Sequence, residues 1–434
     1  MKNLYIILVA LLFITACNND LDQTPPLEAA ANSLTDFDGV LNAAYYYQQP
    51  TTTPLAIMGD FRADNMLMAE EPYPAFDRFN RDLVGGDLVG QFFQPYYSNL
   101  YKSILSSNSV IENSTDASSV GEAQFLRGLS YFKLVKVFGD VTVNLAASPS
   151  TEDDSFLARQ DAASVYSNVI IPDLESAIAS LDNSGLSSGR ATQIAAQGML
   201  GKVYMQISDF ASALPQLQAV VNGASDAGVA LQDSFQNIFG EENDLNAEIL
   251  FATQLSSSIE DEYGFTLFPG WFSGGDTKSL TPLDPALVAA FDASPRDLRR
   301  DLTIDEATMT GPKWGGLDQD YIELRFGDVI LLYAEALNET GSTTEAVTQL
   351  NRIRSRAGLG NSSASSQSEV RVAIQEERRL ELALEGQRWF DLVRTGTVDD
   401  AMGQAVNSNF HVFPLPASEV MSSNGIITQN PGYE

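Results

Sequence analysis

Cysteine and histidine are nearly absent from this 434-residue chain: each occurs once, as Cys17 and His411. A lone cysteine excludes an intramolecular disulfide and a cysteine-based zinc site. A lone histidine leaves any histidine-assisted nucleophile resting on one residue, and His411 in "NFHVFPLP" reads as a packed structural residue. There is no H-E-x-x-H, no P-loop and no G-x-G-x-x-G after a strand, so those routes to metal, nucleotide or dinucleotide chemistry are closed. Positive charge is also scarce. The 25 basic residues, 7 Lys and 18 Arg, face 57 acidic ones for a formal net charge of −32. Such a balance repels nucleic acid and anionic lipid, and its Lys-poor acidity fits a saline habitat or solubility better than a cationic ligand.

Long apolar runs are missing as well, except at the start. Met1, Lys2 and Asn3 precede the uncharged "LYIILVALLFITA", which is shorter than the roughly 20 residues a membrane-crossing helix needs and matches an export signal. Ile14-Thr15-Ala16-Cys17 resembles a bacterial lipobox, in which the thiol is acylated and the cysteine becomes the new N-terminus. The polar, proline-containing "NNDLDQTPPLEAA" directly after Cys17 reads as a tether. These features predict a lipoprotein signal peptide over 1–16 and a lipidated tether over 17–32, with Asp20 and Asp22 in the place of a surface-export signal.

Beyond the tether, most of the chain carries helical periodicity. In "SVGEAQFLRGLSYFKLVKVF", Ala123, Leu126, Leu129, Phe132 or Lys133, and Val137 recur three or four apart, and Gly139 stands as a stop. Small Gly128 leaves room for a second helix to approach. Upstream, Tyr97, Leu100, Ile104 and Val110 or Ile111 form a stripe. Farther on, Phe326, Ile330, Tyr333 and Leu337 form another. There Gly341 ends the helix, Ser342 with Glu345 offers a capping box for the next, and Gly358 closes that one. Paired helices of this size resemble tetratricopeptide units, whose period is about 34 residues. The predicted fold is mainly α: a tetratricopeptide-like helical-repeat scaffold with long irregular loop insertions and a few short strands. A helical region over 33–225 precedes a second over 226–434. The Gly-, Pro- and aromatic-rich stretches 49–95 and 226–322 read as the loops.

The segments "AQFLRGLSYFKLVKVFGDV", "LRFGDVILLYAEALNETG" followed by "AVTQLNRIRSRAGL", "IQEERRLELALEGQRWFDLVRTG" and "FPLPASEVMSSNGIITQNPGY" resemble, in this order, the SusD/RagB-like outer-membrane lipoproteins of Bacteroidota. The resemblance runs from about residue 90 to the C-terminus and implies a cell-surface glycan-binding lipoprotein. Such a protein captures oligosaccharides and delivers them to a SusC-like TonB-dependent transporter, without catalysis. A peptide-capturing RagB-like lipoprotein and a surface glycoside hydrolase stand as the alternatives. In relatives the motif containing Trp389 is architectural.

Sugar rings present flat C–H faces that an aromatic ring covers, while planar polar groups bind the hydroxyls. Trp271 in "FPGWFSGGD" and Trp314 in "GPKWGGLD", each beside glycine and followed by Asp, are therefore the leading ligand-stacking candidates. Arg62 and Asp64, with Asn65, supply hydrogen-bonding groups in the earlier loop, and Tyr73 and Phe76 extend the platform. Phe93, with Phe92 and Tyr96, stands at a helix start near where relatives place a binding aromatic. Set against these readings are local packing for the aromatics and a loop-pinning salt bridge for Arg62 and Asp64. Glu376, Glu377, Arg378, Arg379, Glu381 and Glu385 read as a solvated or internally paired face. No catalytic residue, cofactor or protein metal site is assigned, although loop Asp and carbonyl groups leave room for a structural calcium.

Overall fold

The computed structural model describes residues 36–148, 154–256, 268–275, 280–316 and 318–434; the signal peptide, Cys17 and the tether lie outside them. After α1 (Asp38–Tyr46), the scaffold is a succession of helices: α2 (Gln94–Asn113), α3 (Ala117–Phe138), α4 (Ile171–Ser180), α5 (Gln193–Gln206), α6 (Phe210–Gly223), α7 (Phe326–Glu339), α8 (Thr343–Arg356) and α9 (Gln367–Glu381). From α2 to α8 each helix packs on its successor, and α9 returns onto α7 and α8, the arrangement expected of stacked helix pairs. Caps written in the sequence set the boundaries. Asp116 accepts a hydrogen bond from the Ser119 amide at 2.7 Å at the start of α3, and Gly139 follows its end. The capping box anticipated at Ser342 and Glu345 does not form. The reciprocal pair is instead Ser366 with Glu369 at the start of α9. At Gly128 an added Cβ would lie 3.3 Å from Leu174 Cγ and 3.4 Å from Asp173 Cβ, so α4 does approach α3 there.

Two antiparallel strand pairs interrupt the helices: β1 (Val141–Thr142) with β2 (Arg159–Gln160), and β3 (Ile249–Thr253) with β4 (Tyr321–Arg325). The second pair is buried on both faces. The stretch 49–95, anticipated as loop, is largely helical turns: a continuous run over 49–61 that changes from 3-10 to α to π geometry, then short turns at Tyr73–Phe76, Arg81–Val84 and 86–93. Buried apolar side chains from Phe37 to Tyr433 join in one continuous core.

In the "EERRLELALE" stretch Glu376 is exposed, and Glu377, Arg378, Arg379, Glu381 and Glu385 are internally paired. Arg325, at the end of β4, meets Glu381 at 2.6 Å, Glu385 at 2.8 Å and Glu248 at 3.0 Å, all inside. Arg299 holds Asp297, Glu377 and Glu381, Arg356 holds Glu248 and Glu381, and Lys313 holds Glu385. Burial opposes ionisation of Glu381, but Arg356, Arg325 and Arg299 outweigh it and hold its carboxyl well below the usual range. At Asp328, Lys202 and Arg378 outweigh burial in the same way.

Other carboxyls lack such compensation. Burial pushes Asp77 and Asp320 up to about 7 and Asp60 up to about 6. These three bind protons in the folded chain that the unfolded chain releases near pH 4, so stability falls as pH rises from about 4 through 7. Glu381 and Asp328 act oppositely: their contribution is present above about pH 4 and is lost as pH falls through their folded values. The unfolding temperature is therefore expected to be higher near pH 5.5 than near pH 8, and to drop steeply below about pH 4. Thermal scans across this range check it, and Asp77→Asn should shrink the difference between pH 5.5 and 8. A flat profile between those two values would contradict the assignment.

Candidate functional site

All seven ligand-binding candidates lie inside. Trp271 is 4% exposed and meets Tyr73 and Phe92 edge to face, with ring centroids 5.5 and 5.7 Å away. Trp314 is 2% exposed; its indole N–H donates to the Leu384 carbonyl at 2.6 Å and its ring stacks on Tyr321. Neither indole has a face to offer. Gly315 beside Trp314 leaves open space, with no atom nearer than 3.9 Å to an added Cβ, while at Gly316 a Cβ would meet the Glu241 carboxylate, so the indole is covered by its aromatic neighbours and not by the glycines. Arg62 is fully buried, with its guanidinium over Phe79, Trp389 and Phe413 and its N–H groups donating to the Phe76 and Phe410 carbonyls. Asp64 pairs with Arg388 at 2.7 Å and Arg379 at 3.0 Å rather than with Arg62, which pins its loop to the C-terminal helices. Tyr73, Phe76, Phe92, Phe93 and Tyr96 are core residues, and Trp389 donates its indole N–H to the His411 carbonyl.

The surface offers a different aromatic site, one step round α2. Tyr97, Tyr101 and Leu105 recur every four residues and form the floor of an open groove of about 360 Å³. Phe156, Leu157, Thr142 of β1, Asn144 just after it, Glu419 and Ile427 complete the lining. Tyr97 and Tyr101 lie with ring centroids 4.7 Å apart. Tyr101 and Phe156 are half-buried, and Leu105 is 44% exposed. The Tyr101 hydroxyl donates to the Thr142 carbonyl at 2.7 Å, and the Thr142 hydroxyl donates to the Leu157 carbonyl at 2.7 Å, so the floor is tied to this part of the lining. Burial raises both phenols above their ordinary range, and they stay neutral donors at physiological pH.

Polar groups rim the rings. Asn144 spends its backbone on Tyr131 and Asn108 and its Oδ1 on the Ala146 amide, while its Nδ2 has no partner among the described residues. Glu419 accepts from Gln94 through one oxygen only. A flat apolar floor with an amide, a carboxylate and the Lys102 ammonium at its edge suits a neutral polyhydroxylated ring.

A larger cleft, about 430 Å³, lies between α9 and α10 (Arg388–Thr395) and is lined by Arg378, Arg379, Arg388 and Arg394. These arginines already hold Asp64, Asp328, Asp391 and Glu335, so a ligand there would have to break ion pairs. A G-x-S-x-G spacing occurs at Gly185 to Gly189, but it lies on a short 3-10 turn with no preceding strand, and the His411 ring stands edge-on to Trp389 in the C-terminal segment. Among the described residues no group of three or more His, Cys, Asp or Glu could hold a metal ion, and no helix is long and apolar enough to cross a membrane.

Sequence reasoning used Tyr97 only as part of the inner stripe and missed Tyr101, Phe156 and Asn144 as a group. The available signal was a second stripe, Tyr97, Tyr101 and Leu105, beside the inner one. A helix with two adjacent large apolar stripes buries one and leaves the other for something else.

Comparison with known proteins gives a consistent picture. Residues 298–433 match the model of the SusD family, and residues 77–205 match a model described as starch-binding, associating with outer membrane; together they span more than half of the chain. SusD-like protein P2 of Formosa agariphila is 26% identical over 98% of both chains. A SusD-like protein of Bacteroides ovatus is 26% identical over 90% of this chain and 82% of its own. Among solved structures, a SusD superfamily protein of Bacteroides thetaiotaomicron superposes with a TM-score of 0.76 at 21% identity, over 91% of this chain and 99% of its own. A laminarin-binding SusD-like protein superposes with a TM-score of 0.73 at 24% identity, over 92% and 99%.

Proposed function

The chain belongs to the SusD/RagB family, and on that premise we propose that it is a cell-surface lipoprotein that captures oligosaccharides in the α2 groove and delivers them to a SusC-like TonB-dependent outer-membrane transporter. The observation that carries the reading is the groove itself: two coupled tyrosines and a phenylalanine forming an apolar bed rimmed by Asn144, Glu419 and Lys102. The starch-binding description of one family model and the laminarin-binding neighbour support a glucan as the ligand. The net charge of −32 disfavours a strongly anionic glycan. Hydrolysis finds no support in the groove, because Glu419 is the one carboxylate lining it among the described residues and glycoside hydrolysis uses a pair.

A glycan array probed with the soluble domain beginning after Cys17 tests the reading. Saturable binding of a neutral glycan without release of reducing ends is the expected result. Binding of peptides alone, or liberation of reducing ends, would replace it with one of its rivals. Cys17 carries the localisation half of the proposal. Cys17→Ala is expected to abolish acylation and membrane retention while glycan binding in solution stays unchanged, as fractionation and calorimetry would report. Retention of the variant in the membrane fraction would remove the anchor from the account.

A further inference from the structure

A second pocket opens beyond the groove, between the C-terminal end of α1, the turn before α5 and the end of β3. It encloses about 260 Å³ and is lined by Asn42, Tyr45, Tyr46, Gln49, Arg190 and Gln254. Its polar groups are fixed by partners behind them. Arg190 lies flat over the Tyr45 ring at 4.4 Å, places Nε 2.7 Å from the Glu122 carboxylate and donates through Nη1 to Asn42 Oδ1 at 2.7 Å. Tyr45 donates its hydroxyl to Glu122 and accepts from the Ala191 amide at 2.8 Å. Gln49 donates to the Gln254 carbonyl at 2.8 Å. The Gln254 amide lies flat against Gly189, where a Cβ would stand 2.7 Å from it.

After these bonds Arg190 Nη2, Asn42 Nδ2, Gln49 Oε1 and the Gln254 side-chain amide are without partners among the described residues. They combine planar donors with acceptors, held in place before any ligand arrives. Glu122 balances Arg190, so the pocket carries no net charge to select an anion. Its complement is a neutral group rich in vicinal hydroxyls.

A chain of side-chain contacts leads from one depression to the other. Lys102, at the rim of the α2 groove, places its ammonium 5.6 Å from the centre of the Tyr47 ring, and Tyr47 meets Tyr46 edge to face at 5.6 Å. Tyr46 and Tyr47 are both half-buried, and Tyr46 stands in the lining of the second pocket. Rings and flat polar groups thus run from Phe156 and Tyr101, past Lys102 and Tyr47, to Tyr46, Arg190 and Gln254.

Resting on the glycan reading of the α2 groove, we propose that the pocket around Arg190 and Gln254 is a second sugar subsite on the same track, so that the ligand is a linear neutral oligosaccharide long enough to reach both. Binding at the second subsite adds to binding at the first without a separate association cost, and affinity rises stepwise once the chain spans the gap.

The test is a titration of the soluble domain with laminari-, malto-, xylo- and fructo-oligosaccharide ladders from disaccharide to octasaccharide. The expected result is a step of about tenfold or more in Kd at one length within the bound ladder. Tyr46→Ala and Gln254→Ala should each remove the step while leaving the short members unchanged. Gln254 is exposed, so its variant keeps the fold even if the half-buried Tyr46 does not tolerate alanine. Affinity that is independent of length, or a step that survives Gln254→Ala, overturns the second subsite and leaves the groove reading standing. Binding of no ladder overturns the glycan reading and this inference with it.

Discussion

Replacing Arg325 with alanine is expected to destabilise the fold by about 3–5 kcal/mol, because it leaves buried carboxylates without their cation. Arg325 is 1% exposed and bonds through Nη1 to Glu248 and Glu381, through Nη2 to Glu385 and the Glu381 carbonyl, and through Nε to Glu385. Removing it strands charges that neighbouring Arg356, Arg299 and Lys313 cover only in part. Urea unfolding followed by circular dichroism measures the loss. Since Glu381 and Glu385 are both held below their ordinary range with help from Arg325, the loss should shrink as pH is lowered towards 5 and the stranded carboxyls take up protons. A loss below about 1 kcal/mol at pH 7.5, or one independent of pH, would show that the network tolerates an open position.

The second large effect concerns affinity. Tyr101→Ala combined with Phe156→Ala is expected to weaken glycan binding about 100-fold, about 2.7 kcal/mol, by removing both partly exposed rings of the groove. Tyr101→Phe keeps the ring and loses only the hydroxyl with its bonds to the Thr142 carbonyl and Tyr97, so it should retain most of the affinity. That contrast separates stacking from a general loosening of the lining. Calorimetry with the glycan selected on the array, alongside far-ultraviolet circular dichroism to confirm the fold, gives the answer. Unchanged affinity in the double variant would move the site away from α2.

The scaffold was readable because its information is local. Helical periodicity, the stop at Gly139, the small Gly128 and the breaks at Gly341 and Gly358 each concern a few neighbouring residues, and each appears where the sequence placed it. The misplaced capping box shows the limit of the same logic. Ser342 and Glu345 have the right spacing, yet the Ser342 side chain makes no capping bond, and the Glu345 carboxylate instead accepts from the Tyr333 hydroxyl of the preceding helix at 3.4 Å. A distant partner outcompeted a local one.

The binding face was harder for the same reason. Glycine beside tryptophan looks like exposure in one dimension, but around Trp314 the third dimension brings Phe239, Phe268 and Tyr321 against the ring and the Leu384 carbonyl onto its N–H. Tyr101, Phe156 and Glu419 are scattered across more than 300 positions and become neighbours only because β1, β2 and the C-terminal segment close over α2. By itself the amino-acid order determined the helical class, the repeat pairing and the family, since these rest on spacing and on motifs read over short windows. Only the tertiary structure decided which aromatics face outward, because burial depends on residues far away along the chain, and no local pattern distinguishes a ring that will be covered from one that will not.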